Sequence, residues 1–364
     1  MTYFWLILFP LLPLSALGYC GWHVWQMLPL GAVWRAAIIA SGVLCFALFF
    51  VAMSPWQNRL PLWAASVVYD VGCSALIALL YLVLLLLAAD LLSALHVMPR
   101  AWMHGSWRGV VLVAGMLAAL LTYGNIHYHH KTRVALRYQS HGRVSRPYRF
   151  VMVSDMHLGY HNRRAELARW IDMFNAEQAD ALLVAGDIVD GSMRPLKEER
   201  MVEEWQRLRC PVYACLGNHE YYGGEPESER FYREAGITLL RDSCTVIDSC
   251  IAVIGRDDRT NRHRASLAQL ARRATHGTFT ILLDHQPYHL EQAERAGIDL
   301  QLSGHTHHGQ VWPLSWITDA VYECAFGPHR RGRTAYYVSS GLGLWGGKYR
   351  IGTRSEYVVI TIEP

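Results

Sequence analysis

Apolar positions follow two different rules along this chain. Up to about residue 125 they run on almost without a break, whereas from residue 148 onward they alternate or form short runs between polar turns. The first part holds four stretches with the roughly 20 apolar residues that a bilayer crossing needs: Tyr3–Trp25, Trp34–Met53, Val67–Leu92 and Trp107–Tyr123. The third is the clearest, with no charge from Ala75 to Ala89 and with Asp70 and Asp90 near its ends. Buried helices of a soluble all-α domain are the alternative, but globular helices rarely lack a polar face. The first stretch does not read as a signal peptide, because it lacks a basic start, contains Pro10 and Pro13, and precedes three more spans.

The second part reads as strands alternating with helices, then mostly as strands. Expected strands are Tyr148–Ser154, Ala181–Ala185, Val212–Leu216, Thr238–Leu240, Cys244–Ile247, Ile251–Ile254, Phe279–Leu283, Ile298–Leu302, Tyr336–Ser339 and Tyr357–Ile362, with helices over Arg163–Glu177 and Lys197–Leu208. That order predicts an α/β domain of two packed mixed sheets with helices outside. The boundaries expected are a four-span transmembrane region over 1–125, a basic juxtamembrane linker over 126–147 and a catalytic domain over 148–364.

Charge sharpens the division. The first 125 residues carry only Arg35, Arg59, Asp70, Asp90, Arg100 and Arg108, a net of +2. Ile126–Arg149 carries Lys131, Arg133, Arg137, Arg143, Arg146 and Arg149 with no acid, a net of +6, so the rest must be −4 to reach the total of +4. Such a collar favours the cytoplasmic side, and with four spans both termini lie there. It also suits anionic lipid headgroups. The acidic remainder argues against a broad nucleic-acid face. None of the eight cysteines forms a CxxC pair, which speaks against a zinc–thiolate site and weakly for a reducing compartment.

Five clusters carry the chemistry: Asp155-Met156-His157, Gly186-Asp187, Gly217-Asn218-His219-Glu220, His285, and Gly304-His305-Thr306-His307. Each follows an expected buried strand, where α/β sheets gather functional groups. They offer carboxylate, imidazole and amide donors for two hard or borderline ions. In extended chain, residues i and i+2 point the same way, so Asp155 with His157, and His305 with His307, are expected to face one cavity. Two ions about 3.5–4 Å apart can clamp a phosphate and acidify water. His219 is the candidate hydrogen-bond or proton donor, with Glu220 fixing its ring. The other histidines, His308 among them, are expected beside the site or at interfaces rather than as ligands.

These motifs resemble those of the calcineurin-like metallophosphoesterases, D-x-H, G-D, G-N-H-[DE], H and G-H-x-H. Gly186-Asp187-Ile188-Val189-Asp190-Gly191, Asp284-His285-Gln286-Pro287, Gly309-Gln310 and Ser340-Gly341-Leu342-Gly343 look like the family's membrane-attached branch. The resemblance covers residues 148–364 and implies a four-layer α/β/β/α sandwich. It implies one metal held by Asp155, His157, Asp187 and His307 and a second by Asp187, Asn218, His285 and His305. It also implies His219 as general acid, with Glu220 beside it. His308 stands where such proteins often have glycine. Two divalent ions follow as cofactors, manganese first, with iron or zinc also compatible.

By resemblance, part of this branch cleaves the pyrophosphate of UDP-2,3-diacylglucosamine in lipid A synthesis. The expected function is therefore a membrane-anchored, dinuclear-metal phosphodiesterase or pyrophosphatase acting on a lipid-linked phosphoester at the inner membrane. Trp312, Trp316, Val321, Tyr322 and Phe326 offer an apolar lip, with Arg330, Arg331 and Arg333 to meet phosphate. An ordinary packed loop with solvated arginines is the competing reading of that lip. Competing functions are a phosphodiesterase for soluble nucleotides and a non-catalytic metal-binding scaffold. No nucleic-acid partner is expected.

Overall fold

The computed structural model describes residues 2–274 and 277–364, with side chains from residue 12 onward. The chain divides into two units, Met1–Ile126 with Gly346–Tyr349, and His127–Trp345 with Arg350–Pro364.

The first unit is built of helices α1 (Thr2–Met27), α2 (Ala32–Ala52), α3 (Leu62–Ala94) and α4 (Trp107–His129). Among the described residues, α2, α3 and α4 are long and apolar enough to cross a membrane. The expected span Tyr3–Trp25 falls on α1, and its side chains before residue 12 lie outside the described residues. Asp90, near the end of α3, accepts hydrogen bonds from Tyr19 (2.7 Å) and His23 Nε2 (3.0 Å).

In the second unit the strands are β1 (Lys131–Gln139), β2 (Tyr148–Val153), β3 (Ala181–Ala185), β4 (Val212–Cys215), β5 (Ile237–Leu239), β6 (Ser243–Ile247), β7 (Ile251–Gly255), β8 (Phe279–Leu283), β9 (Leu300–Ser303), β10 (Gly327–Arg331), β11 (Thr334–Val338) and β12 (Ser355–Glu363). They form two six-stranded sheets, ordered β1-β12-β2-β3-β4-β5 and β10-β11-β9-β8-β7-β6. Strands β2 to β5 are parallel, as are β7, β8, β9 and β11, so connecting helices must cover the outer faces. Helix α5 (Arg164–Ala176) does so with Leu167, Trp170, Ile171 and Phe174 on one sheet. On the other sheet, Leu267 and Leu270 of the helix Leu267–Ala271 and Ala293 of the helix Glu291–Ala296 pack on Ile254, Leu282 and Val338. Between the sheets, Phe150, Met152, Leu183 and Ile360 meet Val253, Ile281, Leu283 and Leu302. The four-layer α/β/β/α sandwich is thus in place.

Three local expectations are corrected. Residues 126–147 are not simply a linker, because Lys131–Gln139 is edge strand β1, parallel to β12. Alternation explains it: Val134, Leu136 and Tyr138 pack inward on the inter-sheet core, leaving Arg133, Ala135, Arg137 and Gln139 outside. The collar charges are also built into the domain rather than left free for headgroups. Arg133 and Arg149 pair with Glu177, Arg137 with Glu363, Arg143 with Asp299, and Arg146 with Asp180 and Asp248. The expected helix Lys197–Leu208 is split into α6 (Arg194–Glu198) and α7 (Val202–Trp205), parted at Arg200, whose φ of 54° cannot continue a right-handed helix.

Candidate metal centre

All five motifs lie at the C-terminal ends of β2, β3, β4, β8 and β9, so the parallel strands deliver them to one edge of the sandwich. Their local geometry differs from the extended chain expected. Asp155, His157, Asp187, His305 and His307 all have positive φ, between 46° and 72°. Non-glycine residues seldom hold that conformation, which concentrates at functional sites. Alternation therefore does not aim these side chains; tight left-handed turns do. Gly186 has φ 83°, and a Cβ there would strike the His285 ring, so only glycine lets the two sheets' loops approach.

The donors converge in two groups around Asp187. On one side, the Nε2 atoms of His157 and His307 lie 3.1 Å apart. Asp155 Oδ1 is 4.0 Å from the first and 3.6 Å from the second. Asp187 Oδ2 lies 3.7 Å from His157 Nε2. On the other side, His285 Nε2 is 3.1 Å from Asp187 Oδ2 and 3.2 Å from Asn218 Oδ1, and His305 Nδ1 is 2.8 Å from the same amide oxygen. His305 and His307 thus lie on opposite sides of Asp187.

Tautomers test whether a cation fits. His285 Nδ1 donates to Ala185 O at 2.7 Å and His157 Nδ1 to Asp190 Oδ1 at 3.2 Å. In the neutral rings this turns the Nε2 lone pairs inward, toward carboxylate and amide oxygens and another imidazole. Lone pairs facing lone pairs need a positive charge between them. Donors separated by about 3–4 Å suit ligands that each sit about 2.0–2.2 Å from one ion. Clusters able to hold a metal include Asp155 with His157 and His307, and Asp155 with Asp187 and His285.

The electrostatics divide the donors: burial raises the Asp155 carboxyl, and for His285 burial works downward yet the Asp187 carboxylate raises the ring well above its usual value. Burial and the neighbouring His285 push His305 down to about 4, and burial with His157 holds His307 well below its usual value, keeping both imidazoles neutral as ligands must be. Burial alone would raise Asp187, but His285 and His219 outweigh it and hold its carboxyl well below the usual range. For His219, burial works downward, yet the carboxylates of Asp187 and Asp190 win and raise the ring to about 9.

His219 stands at the rim, partly exposed, with Nδ1 donating to Asp190 O at 2.5 Å and its backbone N–H to Asp187 Oδ1 at 2.9 Å. The expected role of Glu220 is corrected. It is fully buried and accepts from the backbone N–H groups of Asp187 (3.1 Å), Val189 (3.0 Å) and Gly217 (2.7 Å) and from Tyr232 (2.8 Å). It therefore staples the Asp187 and Asn218 loops together and does not touch the His219 ring.

Two residues that sequence reasoning left without a role do the orienting. Asp190 backs both His157 and His219; its place in Gly186–Gly191 was the signal. Arg350 is fully buried and donates to the carbonyls of His307 (2.8 Å), Ser340 (2.5 Å) and Gly343 (3.1 Å), bracing the His307 turn. His308 is also settled. It accepts φ 49° where glycine would be unstrained, and its ring stacks on Phe326 (4.7 Å) with Nε2 3.4 Å from Asp319, away from the donors.

Comparison with known proteins names this arrangement. The model of the calcineurin-like phosphoesterase family matches residues 148–309. An uncharacterized metallophosphoesterase of Aquifex aeolicus is 32% identical over 219 residues, covering 58% of this chain and 83% of that one. The chain belongs to the calcineurin-like phosphoesterase family. A Danio rerio transmembrane protein with metallophosphoesterase domain is 29% identical over 292 residues, 75% of this chain and 67% of that protein. The first relatives in rank are spanned over 61 to 67% of their own length. Among solved structures, the 5'-nucleotidase precursor of Thermus thermophilus matches with TM-score 0.36 at 16% identity, covering 54% of this chain and 50% of that one. The family consists of metal-dependent hydrolases of phosphoester bonds that use a dinuclear centre, and this domain has donor groups for it.

Proposed function

We propose that this protein is a membrane-anchored phosphoesterase that hydrolyses a phosphodiester or pyrophosphate bond of a lipid-linked substrate, of which UDP-2,3-diacylglucosamine is the leading candidate. The observation that carries the hydrolytic part is the paired donor cluster with His219 on its rim. Asp155, His157, Asp187 and His307 would hold one divalent ion, and Asp187, Asn218, His285 and His305 the other. When bound, the two ions supply Lewis-acid polarisation of the phosphoryl group and acidify water. All-oxygen and nitrogen ligation suits manganese, with iron or zinc also accommodated.

The chain's own residues do the rest. His219, tied through Nδ1 to Asp190 O, offers its Nε2 edge to the substrate. As imidazolium it donates a hydrogen bond to a phosphoryl oxygen or a proton to the leaving oxygen. Asp190 keeps that ring and the His157 ring in register.

The helix Leu314–Val321 supports a lipid-linked substrate. It follows the His307–Gly309 turn directly and exposes Leu314, Trp316, Ile317 and Val321, with Trp312 beside them. Exposed apolar patches of this kind mark ligand or membrane contact. The arginines expected to complete this lip, Arg330, Arg331 and Arg333, lie instead around the β10–β11 hairpin turn, at the sheet edge opposite His305. A second reading, hydrolysis of soluble nucleotides, is favoured by the Tyr288–Tyr322 ring pair (4.7 Å), which flanks His305 and could stack a base.

The basic collar and the apolar helices support placement in the inner membrane with the catalytic domain in the cytoplasm. A reporter fused after Pro364 that works only outside the cytoplasm would reverse that orientation. The activity is tested by stripping purified protein, reloading it with manganese and supplying UDP-2,3-diacylglucosamine or bis(p-nitrophenyl) phosphate. Release of UMP, lost on Asp187→Ala and His219→Ala, supports the lipid reading. Turnover of the generic diester alone redirects the substrate search, and no turnover of either sinks the enzyme reading.

A further inference from the structure

At the opposite edge of the sandwich, where β8 and β9 begin, the domain has a cavity of about 350 Å³ that the hydrolytic reading does not use. Strand β8 alone, five residues from Phe279 to Leu283, sets it about 16 Å from the edge that carries His285. Its walls carry Arg137, Arg143, Arg330, Arg333 and His141, and the one carboxylate is Asp299. With β1 and the loop after it counted in, residues 126–364 carry a net charge of only +2 (the chain's +4 less +2 for residues 1–125), so four arginines around one cavity call for a cause.

The arginines are not equivalent. Arg143 is fixed as a two-pronged donor on Asp299, at 2.7 and 2.9 Å, with its guanidinium 5.3 Å from the centre of the Phe279 ring. Asp299 is further occupied by the Thr280 N–H at 2.9 Å. Arg137, on the rim, is matched by Glu363 at 3.2 Å. Arg330 and Arg333 differ: among the described residues no carboxylate pairs with either. Their neighbour Arg331 points to the other face of β10, where Glu294 and Glu323 neutralise it. The hairpin therefore matches the arginine that faces away and leaves unmatched the two that face the cavity.

We propose that this cavity is a binding site for a phosphate-bearing anion, separate from the metal centre. Guanidinium groups recognise phosphate by paired N–H donors, and two unmatched ones beside a rigid, ring-backed Arg143 provide that recognition with little reordering. The volume lies at the small end of the roughly 300–1,000 Å³ usual for ligand sites, which suits a phosphate ester head and not a long chain. The same chemistry is presented by a free phosphate ester and by the headgroup of an anionic lipid.

The test uses the purified full chain in detergent, treated with chelator so that the metal centre cannot capture phosphate. Binding of inorganic pyrophosphate is titrated, and in parallel short-chain phosphatidic acid against short-chain phosphatidylcholine. Saturable, salt-sensitive binding of pyrophosphate identifies a site for free phosphate esters; binding of phosphatidic acid alone identifies a lipid headgroup. Either result should weaken at least about tenfold in the R330Q/R333Q double variant, the loss of about one charge-assisted hydrogen bond. Both positions are exposed at the hairpin, so the fold should survive, and an unchanged melting temperature checks it. No binding of any phosphate probe, or equal binding by the wild type and the double variant, overturns the proposal.

Discussion

The two halves of the donor cluster use the same residue types but brace them differently. Around Asp155, His157 and His307, the bracing is charged: Asp190 carboxylate stands behind His157, and Arg350 holds the His307 carbonyl. Around Asn218, His285 and His305, it is neutral: the Ala185 carbonyl stands behind His285, and the shared oxygen is an amide. A carboxylate behind an imidazole makes it a stronger base and a tighter ligand than a carbonyl does. Asp155 adds a formal charge that Asn218 lacks. The difference predicts an unequal pair, with a tight first site and a looser second one. Titration of stripped protein with manganese should accordingly show two steps.

Asp187 is the residue common to both halves, so its loss should erase the comparison altogether. Asp187→Asn is expected to reduce activity to background and to leave at most one ion per chain by elemental analysis. Two ions retained would break the proposed sharing. His219→Gln should separate chemistry from binding. Its Nδ1 is committed to the Asp190 carbonyl and its ring only packs edge-on against His157 at 4.5 Å, so both manganese steps should persist while turnover falls about 10²–10⁴-fold, the usual worth of a positioned proton donor. Loss of a manganese step instead would make His219 a ligand.

How far the sequence carried this picture depends on what each residue's role rests on. The parallel strands were legible because β2, β3, β8 and β9 are buried on both faces and read as apolar runs ending at polar motifs. The donor residues were legible for the same reason, since each motif ends a strand. Their aim was not. Alternation assumes extended chain, and the left-handed turns at Asp155, His157, His305 and His307 are set by tertiary packing. Glu220 adjoins His219 in sequence, yet its carboxylate turns to backbone N–H groups of another loop, which no local pattern encodes. Arg350 lies 43 residues from the carbonyl of His307 that it braces. Strand β1 was hidden by charge: its arginines drew the eye to a linker while Val134, Leu136 and Tyr138 carried the alternation.

Asp190 tests the bracing itself. Asp190→Asn keeps the shape but removes the charge behind His157, and loss of such a partner typically costs about 10–100-fold in metal affinity. The first manganese step should move toward the second, which has no side-chain counterpart to lose. A fall confined to the second step would reverse the assignment of tight and loose sites.

The smallest expected change runs in the opposite sense. Asn218→Asp would give the looser side the carboxylate it lacks, at an oxygen 2.8 Å from His305 Nδ1 and 3.2 Å from His285 Nε2. A unit charge about 4 Å from a cation is worth about 4 kcal/mol per cation charge at the effective dielectric of such sites. Burying the new carboxylate near Asp187 offsets much of that gain, because like charges and desolvation both disfavour it. The net should be a tightening of the second manganese step on the order of tenfold, with the first step left where it was. If both steps tighten together, the two ions feel one common field and the halves are not separable. If neither moves, the amide oxygen is not a ligand, and the neutral side of the comparison must be rebuilt around His285 and His305 alone.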